Sequence, residues 1–125
     1  MRRFDISVGL LSLAVISWGA GFVYSRERFH ETDLQALYQR INADSFNGTL
    51  PKADVHWDAL GEHYGETVPH HNWAEILIDR ALVTDDQQLL TTLRYESCHA
   101  YVGTLDVKEE PHGPTWSVCM ERCND

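Results

Sequence analysis

Hydrophobic positions divide the chain into two unequal parts. Residues 6–24 contain no charged side chain, and an apolar helix of this length spans roughly 28 Å, close to the thickness of a bilayer's hydrocarbon core. The pattern predicts a membrane anchor or a signal peptide over residues 1–29. Because the run stays apolar beyond its small residues, a single-pass anchor through residues 6–24 is favoured over a cleaved leader. We expect the following domain, residues 30–125, to lie outside the cytoplasm, and to be secreted if the leader is cleaved.

Three stretches of this domain have the spacing of amphipathic helices. The first helix is expected to begin after Thr32 as N-cap, in a capping box with Gln35. The second begins after Thr84 in the same way and is expected to end at Gly103, and the third follows the turn at residues 112–114. Their apolar positions are Leu34, Leu37, Tyr38 and Ile41; Leu90, Leu93, Ala100 and Tyr101; and Trp116, Met120 and Cys123.

Short strands are predicted between the first two helices. Val55 and Trp57 alternate with polar residues, which is typical of a half-buried strand, and Glu75 to Asp79 indicates a second strand. The polar stretch from Gly61 to Asn72 is interpreted as a loop with room for one short strand. The order of elements predicts an α+β domain whose helices pack on a short antiparallel sheet.

The charge of the domain limits its partners. From residue 31 onward there are 6 basic and 17 acidic residues, a net charge of −11, and the whole chain carries −9. Phosphate binding needs a cluster of Lys and Arg side chains, so we expect no nucleic-acid partner. Hydrophobic residues make up 43% of the chain and charged residues 23%, which excludes a disordered chain or a coiled-coil rod.

One motif on the second predicted helix carries candidate chemistry. In the zincin motif H-E-x-x-H, positions i and i+4 present two imidazoles to one zinc ion from one helix face, and the glutamate acts on water as a general base. Glu96 and His99 have this spacing, but Tyr95 stands at the position of the first histidine. E-x-x-H alone is common, and its ordinary interpretation is a solvated glutamate and a hydrogen-bonded histidine. His112, on a later turn, is a candidate further ligand.

Six segments, in order along nearly the whole domain, resemble the SprT-like family, which includes the Spartan-type metalloproteases. They are Leu37-Tyr38 with Ile41-Asn42, Phe46-Asn47-Gly48-Thr49-Leu50-Pro51, Val55-His56-Trp57, Ile76-Leu77-Ile78, the stretch from Leu89 to Ala100 with its altered H-E-x-x-H-A motif, and His112-Gly113-Pro114-Thr115-Trp116. The resemblance implies a small zincin-like domain that binds zinc and cleaves polypeptides. It implies Glu96 as the catalytic acid/base, and His99 and His112 as two of three zinc ligands.

Tyr95 is the departure from the family pattern, and it leaves two alternatives. A neutral phenol with a pKa near 10 is a poor ligand beside imidazole, so zinc binding and proteolysis are lost and the fold serves as a protein- or peptide-binding module. Alternatively zinc is still bound, with Tyr95 as a phenolate ligand or with His70 or His71 from the loop. Loss of one ligand from a three-residue site favours the first alternative.

Two further expectations concern the polypeptide substrate and the cysteines. An extended substrate is expected to add to the sheet along the edge of the strand at residues 76–79. Cys119 and Cys123 lie one helical turn apart and are poorly placed to bond with each other. In an oxidising compartment, Cys98 bridged to the last helix is one arrangement, and three buried thiols are the other.

Overall fold

The computed structural model describes residues 29–105 and 109–124, and the chain divides into units of residues 1–32 and 33–125. In the first unit, the Thr32 hydroxyl donates a 2.5 Å hydrogen bond to the carbonyl oxygen of Phe29. The predicted anchor at residues 6–24 lies outside the described residues. Within the residues that are described, no helix is both long and apolar enough to cross a membrane.

The second unit contains three helices and a three-stranded sheet, which confirms the α+β class. In chain order the elements are α1 (Leu34–Ser45), β1 (Lys52–Asp58), β2 (Gly65–Pro69), β3 (Trp73–Asp79), α2 (Asp86–Thr104) and α3 (Pro114–Asn124). The short strand allowed for in the stretch Gly61–Asn72 is present as β2. The core comprises fully buried apolar side chains from the helices and the sheet, with Tyr38, Phe46, Ile76, Ile78 and Leu93 among the largest.

The N-caps of α1 and α2 each lie one residue later than predicted. Asp33 caps α1 by accepting a hydrogen bond from the Ala36 N–H, and Asp85 caps α2 in the same way. Thr32 is therefore not the cap, because its hydroxyl is used within its own turn. Gln35 does not reach back either: its amide donates to the Ala53 carbonyl and accepts from the Val55 N–H. These two bonds fasten α1 to β1.

The sheet is mixed rather than antiparallel. Its strand order is β1-β3-β2, with β1 parallel to β3 and β2 antiparallel to β3. A three-residue turn joins β2 to β3, and such short connections produce antiparallel hairpins. β1 and β3 are separated by a loop and the whole of β2, which is enough chain to return and pair in parallel. The expectation of an antiparallel sheet was wrong for that pair.

The position of β3 also corrects the expected substrate edge. Residues 76–79 belong to the central strand, and Ile76 is paired with Val55 on one side and with Thr67 on the other. Both edges of β3 are thus occupied, so no extended peptide can pair there. The two edge strands are β1 and β2, and the Gln35 amide already occupies backbone groups of β1.

Helix α2 lies against β2 and β3 and also carries α3. It extends one residue beyond the predicted end, to Thr104. A disulfide joins Cys98 of α2 to Cys119 of α3, with the two Cα atoms 5.7 Å apart. Cys123 is a buried free thiol. Of the two cysteine arrangements, the bridge from Cys98 to the last helix is the one present.

Candidate metal centre

Three donor atoms, two from α2 and one from the turn before α3, converge beside the middle of α2. The Tyr95 hydroxyl oxygen lies 2.8 Å from His112 Nε2, and that nitrogen lies 3.2 Å from His99 Nε2. Tyr95 and His99 are one helical turn apart on α2, so both side chains leave the same face. His112 comes from the turn that immediately precedes α3. The three residues considered as zinc ligands are therefore neighbours, with His112 in contact with both Tyr95 and His99.

The spacing of the two histidine nitrogens fits a shared metal ion. Zinc–nitrogen bonds of about 2.0–2.1 Å at tetrahedral angles place two ligand atoms roughly 3.3 Å apart, and His99 Nε2 and His112 Nε2 are 3.2 Å apart. Two imidazole nitrogens and one phenol oxygen would supply three ligands, the number that catalytic zinc sites take from the protein. The residues present thus fit zinc, with Tyr95 as the third donor.

The Trp116 ring borders all three donor residues. Its centroid lies 4.5 Å from that of His112, 5.2 Å from that of Tyr95 and 5.6 Å from that of His99. The Trp116 and His99 planes are 28° apart, a stacked arrangement. The indole therefore limits the rotation of the imidazoles and makes one side of the centre apolar. The sequence placed Trp116 in the helix core without assigning it to the site.

Glu96 lies next to the three donors but is directed toward the sheet. Its side chain is only 5% exposed, and Oε1 accepts a 2.6 Å hydrogen bond from the Thr67 hydroxyl of β2. Burial raises the pKa of the Glu96 carboxyl, and the negative charge of Glu66 adds to this rise. The Thr67 bond and His63 act in the opposite direction. A buried carboxyl with a raised pKa is suited to general acid/base chemistry near neutral pH.

The surroundings of the donors also affect their protonation. Burial, followed by the neighbouring His112, lowers the pKa of His99, which keeps its imidazole neutral and able to bind a metal. Burial, followed by the Glu96 charge, raises the pKa of Tyr95. In the metal-free protein Tyr95 is accordingly a neutral phenol. Zinc has to displace its proton before a phenolate can bind.

An open cavity of about 520 Å³ lies beside Tyr95 and Glu96. Its walls come from the first half of α2 and from the loop that leads into β2: Glu62, His63, Tyr64, Gly65, Gln87, Gln88, Thr91 and Thr92 complete the lining. Glu96 thus contributes to the lining of a space large enough for part of a peptide. Among residues 29–105 and 109–124, no lysine or arginine lines the cavity.

The structure places the alternative ligands elsewhere. The His70 ring stacks on Trp73 at a centroid distance of 4.0 Å, and the backbone N–H of His70 donates to the Trp73 carbonyl to close the β2–β3 turn. Within residues 29–105 and 109–124, no group of three or more His, Cys, Asp or Glu side chains is placed to hold a metal ion. His70 and His71 therefore do not join His99 and His112 in this structure, and Tyr95 is the residue that lies beside these two histidines.

Sequence reasoning missed two residues that shape the site. Thr67 holds Glu96 from 29 positions away, and Gly65 lies so close to α2 that a Cβ would be 2.9 Å from both Glu96 Cγ and Thr92 Cγ2. Both lie in the stretch that was interpreted mainly as a loop. The two adjacent β-branched residues Thr67 and Val68 were the available signal for a strand, but they did not reveal which helix the strand would contact.

Comparison with known families agrees with this geometry. The family model described as SprT-like family matches residues 34–125, a range that contains every residue of the metal centre and of the cavity. No curated protein gives a significant match to the chain. Since the matched range covers well over half of the sequence, the chain belongs to the SprT-like family.

Proposed function

We propose that this chain is a membrane-anchored, zinc-dependent endopeptidase of the zincin type. The observation that carries the proposal is the convergence of Tyr95 Oη, His99 Nε2 and His112 Nε2 beside a buried glutamate. His99 and His112 would hold zinc through their Nε2 atoms, with Tyr95 as the third ligand. When bound, zinc supplies Lewis acidity for amide hydrolysis.

Glu96 would carry the proton transfers of the reaction. Its carboxylate accepts a proton from the attacking water and then delivers it to the nitrogen of the leaving amine. The raised pKa of Glu96 favours the first transfer, because a carboxylate with a higher pKa is a stronger base. The Thr67 hydroxyl keeps Oε1 in a fixed position, which leaves Oε2 for the reacting water.

The substrate would be an extended polypeptide paired with the edge of β2. In the described part of the chain β2 pairs with β3 alone, so its outer edge offers backbone groups for β-augmentation. β2 also contains Thr67, which donates a hydrogen bond to Glu96, and Gly65, which lines the cavity. A peptide on this edge would pass the reactive carboxyl, which a peptide on β1 would not do.

The membrane part of the proposal rests on residues 6–24. Their uncharged run has the length of a bilayer-spanning helix. The net charge of −11 from residue 31 onward argues against nucleic acid and against anionic lipid surfaces as partners of the domain. We place the domain outside the cytoplasm, where the disulfide between Cys98 and Cys119 would persist.

The decisive experiment combines zinc content with cleavage of an unfolded polypeptide. The full chain in detergent, purified without added metal, should contain near-stoichiometric zinc and should cleave reduced, alkylated casein. Glu96→Gln should keep the zinc and lose cleavage by roughly 10²-fold or more. Full cleavage by Glu96→Gln, or the absence of zinc from both proteins, would contradict the proposal.

A catalytically inactive binding module is the second candidate, and one observation favours it. The pKa of Tyr95 is raised, which opposes the phenolate that a strong third ligand needs. In that case the native chain contains no zinc, whereas Tyr95→His acquires it because the remaining ligands are intact. Binding of an unfolded polypeptide without cleavage, by both the native chain and Glu96→Gln, would then identify the module.

A further inference from the structure

The donor residues of the metal centre come from two segments of the chain, and a disulfide joins the helices of these segments. Tyr95 and His99 come from α2, whereas His112 comes from the turn before α3, so the donor set is complete only when the two helices are held together. The Cys98–Cys119 disulfide joins the same two helices. Cys98 is the residue directly before His99, and its side chain is completely buried.

The covalent ring closed by this disulfide contains both histidines. The bridge spans residues 98 to 119, a separation of 21, and His99 and His112 both lie inside it. Without the bridge, the only covalent connection between His112 and His99 would be the chain between them, and α3 would be held on α2 by packing alone. Closing a loop removes the open arrangements of that chain, and these are the arrangements in which the donors are apart.

Hydrogen bonds join the turn that contains His112 to the first turn of α3. The Glu109 carboxylate accepts from both the N–H and the hydroxyl of Thr115, and the Ser117 N–H donates to the Gly113 carbonyl at 3.0 Å. His112 is therefore attached directly to the first turn of α3. A constraint on Cys119 therefore restricts the position of α3, and through α3 it restricts the position of His112.

We infer that Cys98 and Cys119 are positioning residues of the metal centre, whose disulfide brings His112 against His99 before any metal is bound. A zinc ion would then bind two imidazole nitrogens that already have the required spacing, so binding would not have to bring them together. The part of this inference that concerns zinc affinity rests on the proposed function. The part that concerns the pairing of the two imidazoles in the metal-free protein does not.

The test compares the native chain with Cys98→Ala/Cys119→Ala, with Cys123→Ala as the matched control. Cys123 is equally buried and lies one turn beyond Cys119 on α3, but it is outside the bridge. The first measurement is the nuclear Overhauser effect between the two imidazole rings in metal-free protein, whose centroids are 4.9 Å apart. The second is the zinc dissociation constant, measured by competition with a chromophoric chelator.

In the native chain and in Cys123→Ala, the ring-to-ring signal should be present. In the double variant it should disappear, and zinc should bind about 10- to 100-fold more weakly, the range typical of lost support around metal ligands. Circular dichroism must show that the double variant is folded at the working temperature. A disulfide that only stabilised the fold would leave both readings unchanged in folded protein, and that result would overturn the inference.

If the double variant does not fold, the ring-to-ring signal is measured instead on the native chain with its disulfide reduced. Two thiols of dithiothreitol give two hydrogens to the bridge and close into a cyclic disulfide, and the reagent is removed under argon before measurement. Loss of the ring-to-ring signal supports the inference, and its persistence overturns it. A native chain that keeps the signal but binds no zinc contradicts the proposed function, while the positioning role of the disulfide still stands.

Discussion

The hydroxyl of Thr67 donates a 2.6 Å hydrogen bond to Oε1 of Glu96, and it also lies 3.1 Å from the carbonyl oxygen of the same residue. One side chain of the edge strand thus holds both the backbone and the carboxyl of the candidate catalytic residue. Since Glu96 is buried, this bond replaces part of the water that the carboxyl loses.

Replacing Thr67 by valine should raise the pKa of Glu96 further. Valine keeps the branched shape but removes the donor that lowers this pKa, and losing a hydrogen bond to a buried carboxyl costs roughly 1–3 kcal/mol of folding stability. Carbon-13 NMR of the Glu96 carboxyl would follow the titration. Thr67→Ser retains the hydroxyl and should titrate as the native protein does. Identical titrations of the valine and serine variants would show that the hydroxyl has no influence on Glu96.

Glu96→Gln should stabilise the metal-free protein at neutral pH. The pKa of Glu96 is raised in the folded state, so the folded protein binds a proton more tightly than the unfolded chain does. Stability therefore falls as pH rises from the unfolded value of about 4.3 toward the higher folded value. Glutamine avoids this loss, and a gain of about 1 kcal/mol raises the melting temperature by roughly 4–8 °C in a domain of this size.

Thermal melts between pH 3.5 and 8, in the presence of a chelator, would check this expectation. The advantage of Glu96→Gln over the native protein should be largest at the alkaline end and should shrink below pH 4, where the native carboxyl is protonated in both states. An advantage that is independent of pH would mean that the carboxylate is not the source of the cost.

The position of Glu96 was predictable from sequence, whereas its environment was not. Spacing within one helix brings Tyr95, Glu96 and His99 together whatever the rest of the chain does, and the family pattern added His112. The partner of Glu96, in contrast, is decided by how the sheet packs on α2. That packing depends on a crossover that makes β1 parallel to β3 and places β2 at the edge. Nothing local in the sequence specifies it.

For the helix caps too, the sequence predicts the element, while tertiary structure decides the details. Helix α1 was expected from its apolar spacing, but Thr32 and Asp33 are both good N-cap residues, and they are adjacent. The choice of Asp33 depends on its extended backbone conformation, with φ −76° and ψ 95°. Gln35, expected in a capping box, is instead drawn to β1 by two backbone hydrogen bonds. Hydrogen bonds to β1 thus take the place of the capping box that the local sequence favours.

Tyr95 should contribute to zinc affinity in a way that a phenylalanine cannot replace. Tyr95→Phe keeps the ring and its edge-to-face contact with Trp116 but removes the oxygen that lies 2.8 Å from His112. We expect it to bind zinc at least tenfold more weakly than the native chain, and Tyr95→His to bind more tightly, because imidazole needs no proton displaced at neutral pH. Chelator competition would rank the three proteins. Equal affinity of the native chain and Tyr95→Phe would exclude the phenol as a ligand.

Gly65→Ala should disturb Glu96 through lack of space. The new Cβ would lie 2.9 Å from Glu96 Cγ and from Thr92 Cγ2, so one of the packed elements has to move, at a cost of roughly 1–3 kcal/mol. Chemical denaturation would measure the loss. The cost should be smaller when Gly65→Ala is combined with Glu96→Ala, because one of the two obstructing side chains is then absent. Strict additivity of the two substitutions would contradict this interpretation.

Asp79 should anchor the loop that forms the wall of the cavity, and its loss should be costly in a pH-dependent way. The buried carboxylate accepts backbone N–H bonds from Leu60, Gly61, Ala81 and Leu82, at 2.6 to 3.1 Å. These bonds, that of Gly61 first, lower the pKa of Asp79. Stability from this group is therefore fully present above the unfolded value of about 3.9 and is lost as pH falls through the lower folded value.

Asp79→Asn places an amide N–H₂ where backbone donors need an acceptor, so we expect the melting temperature at pH 7 to drop by about 10 °C or more. Asp58→Asn is the matched control, because Asp58 pairs with Asp79 in the β1–β3 register but is exposed, and its carboxylate accepts the N–H of the adjacent Ala59. It should melt close to the native protein. Melts from pH 2 to 7 should show the deficit of Asp79→Asn shrinking below pH 3.9. A constant deficit would mean that shape, and not the charge of the carboxylate, holds the loop.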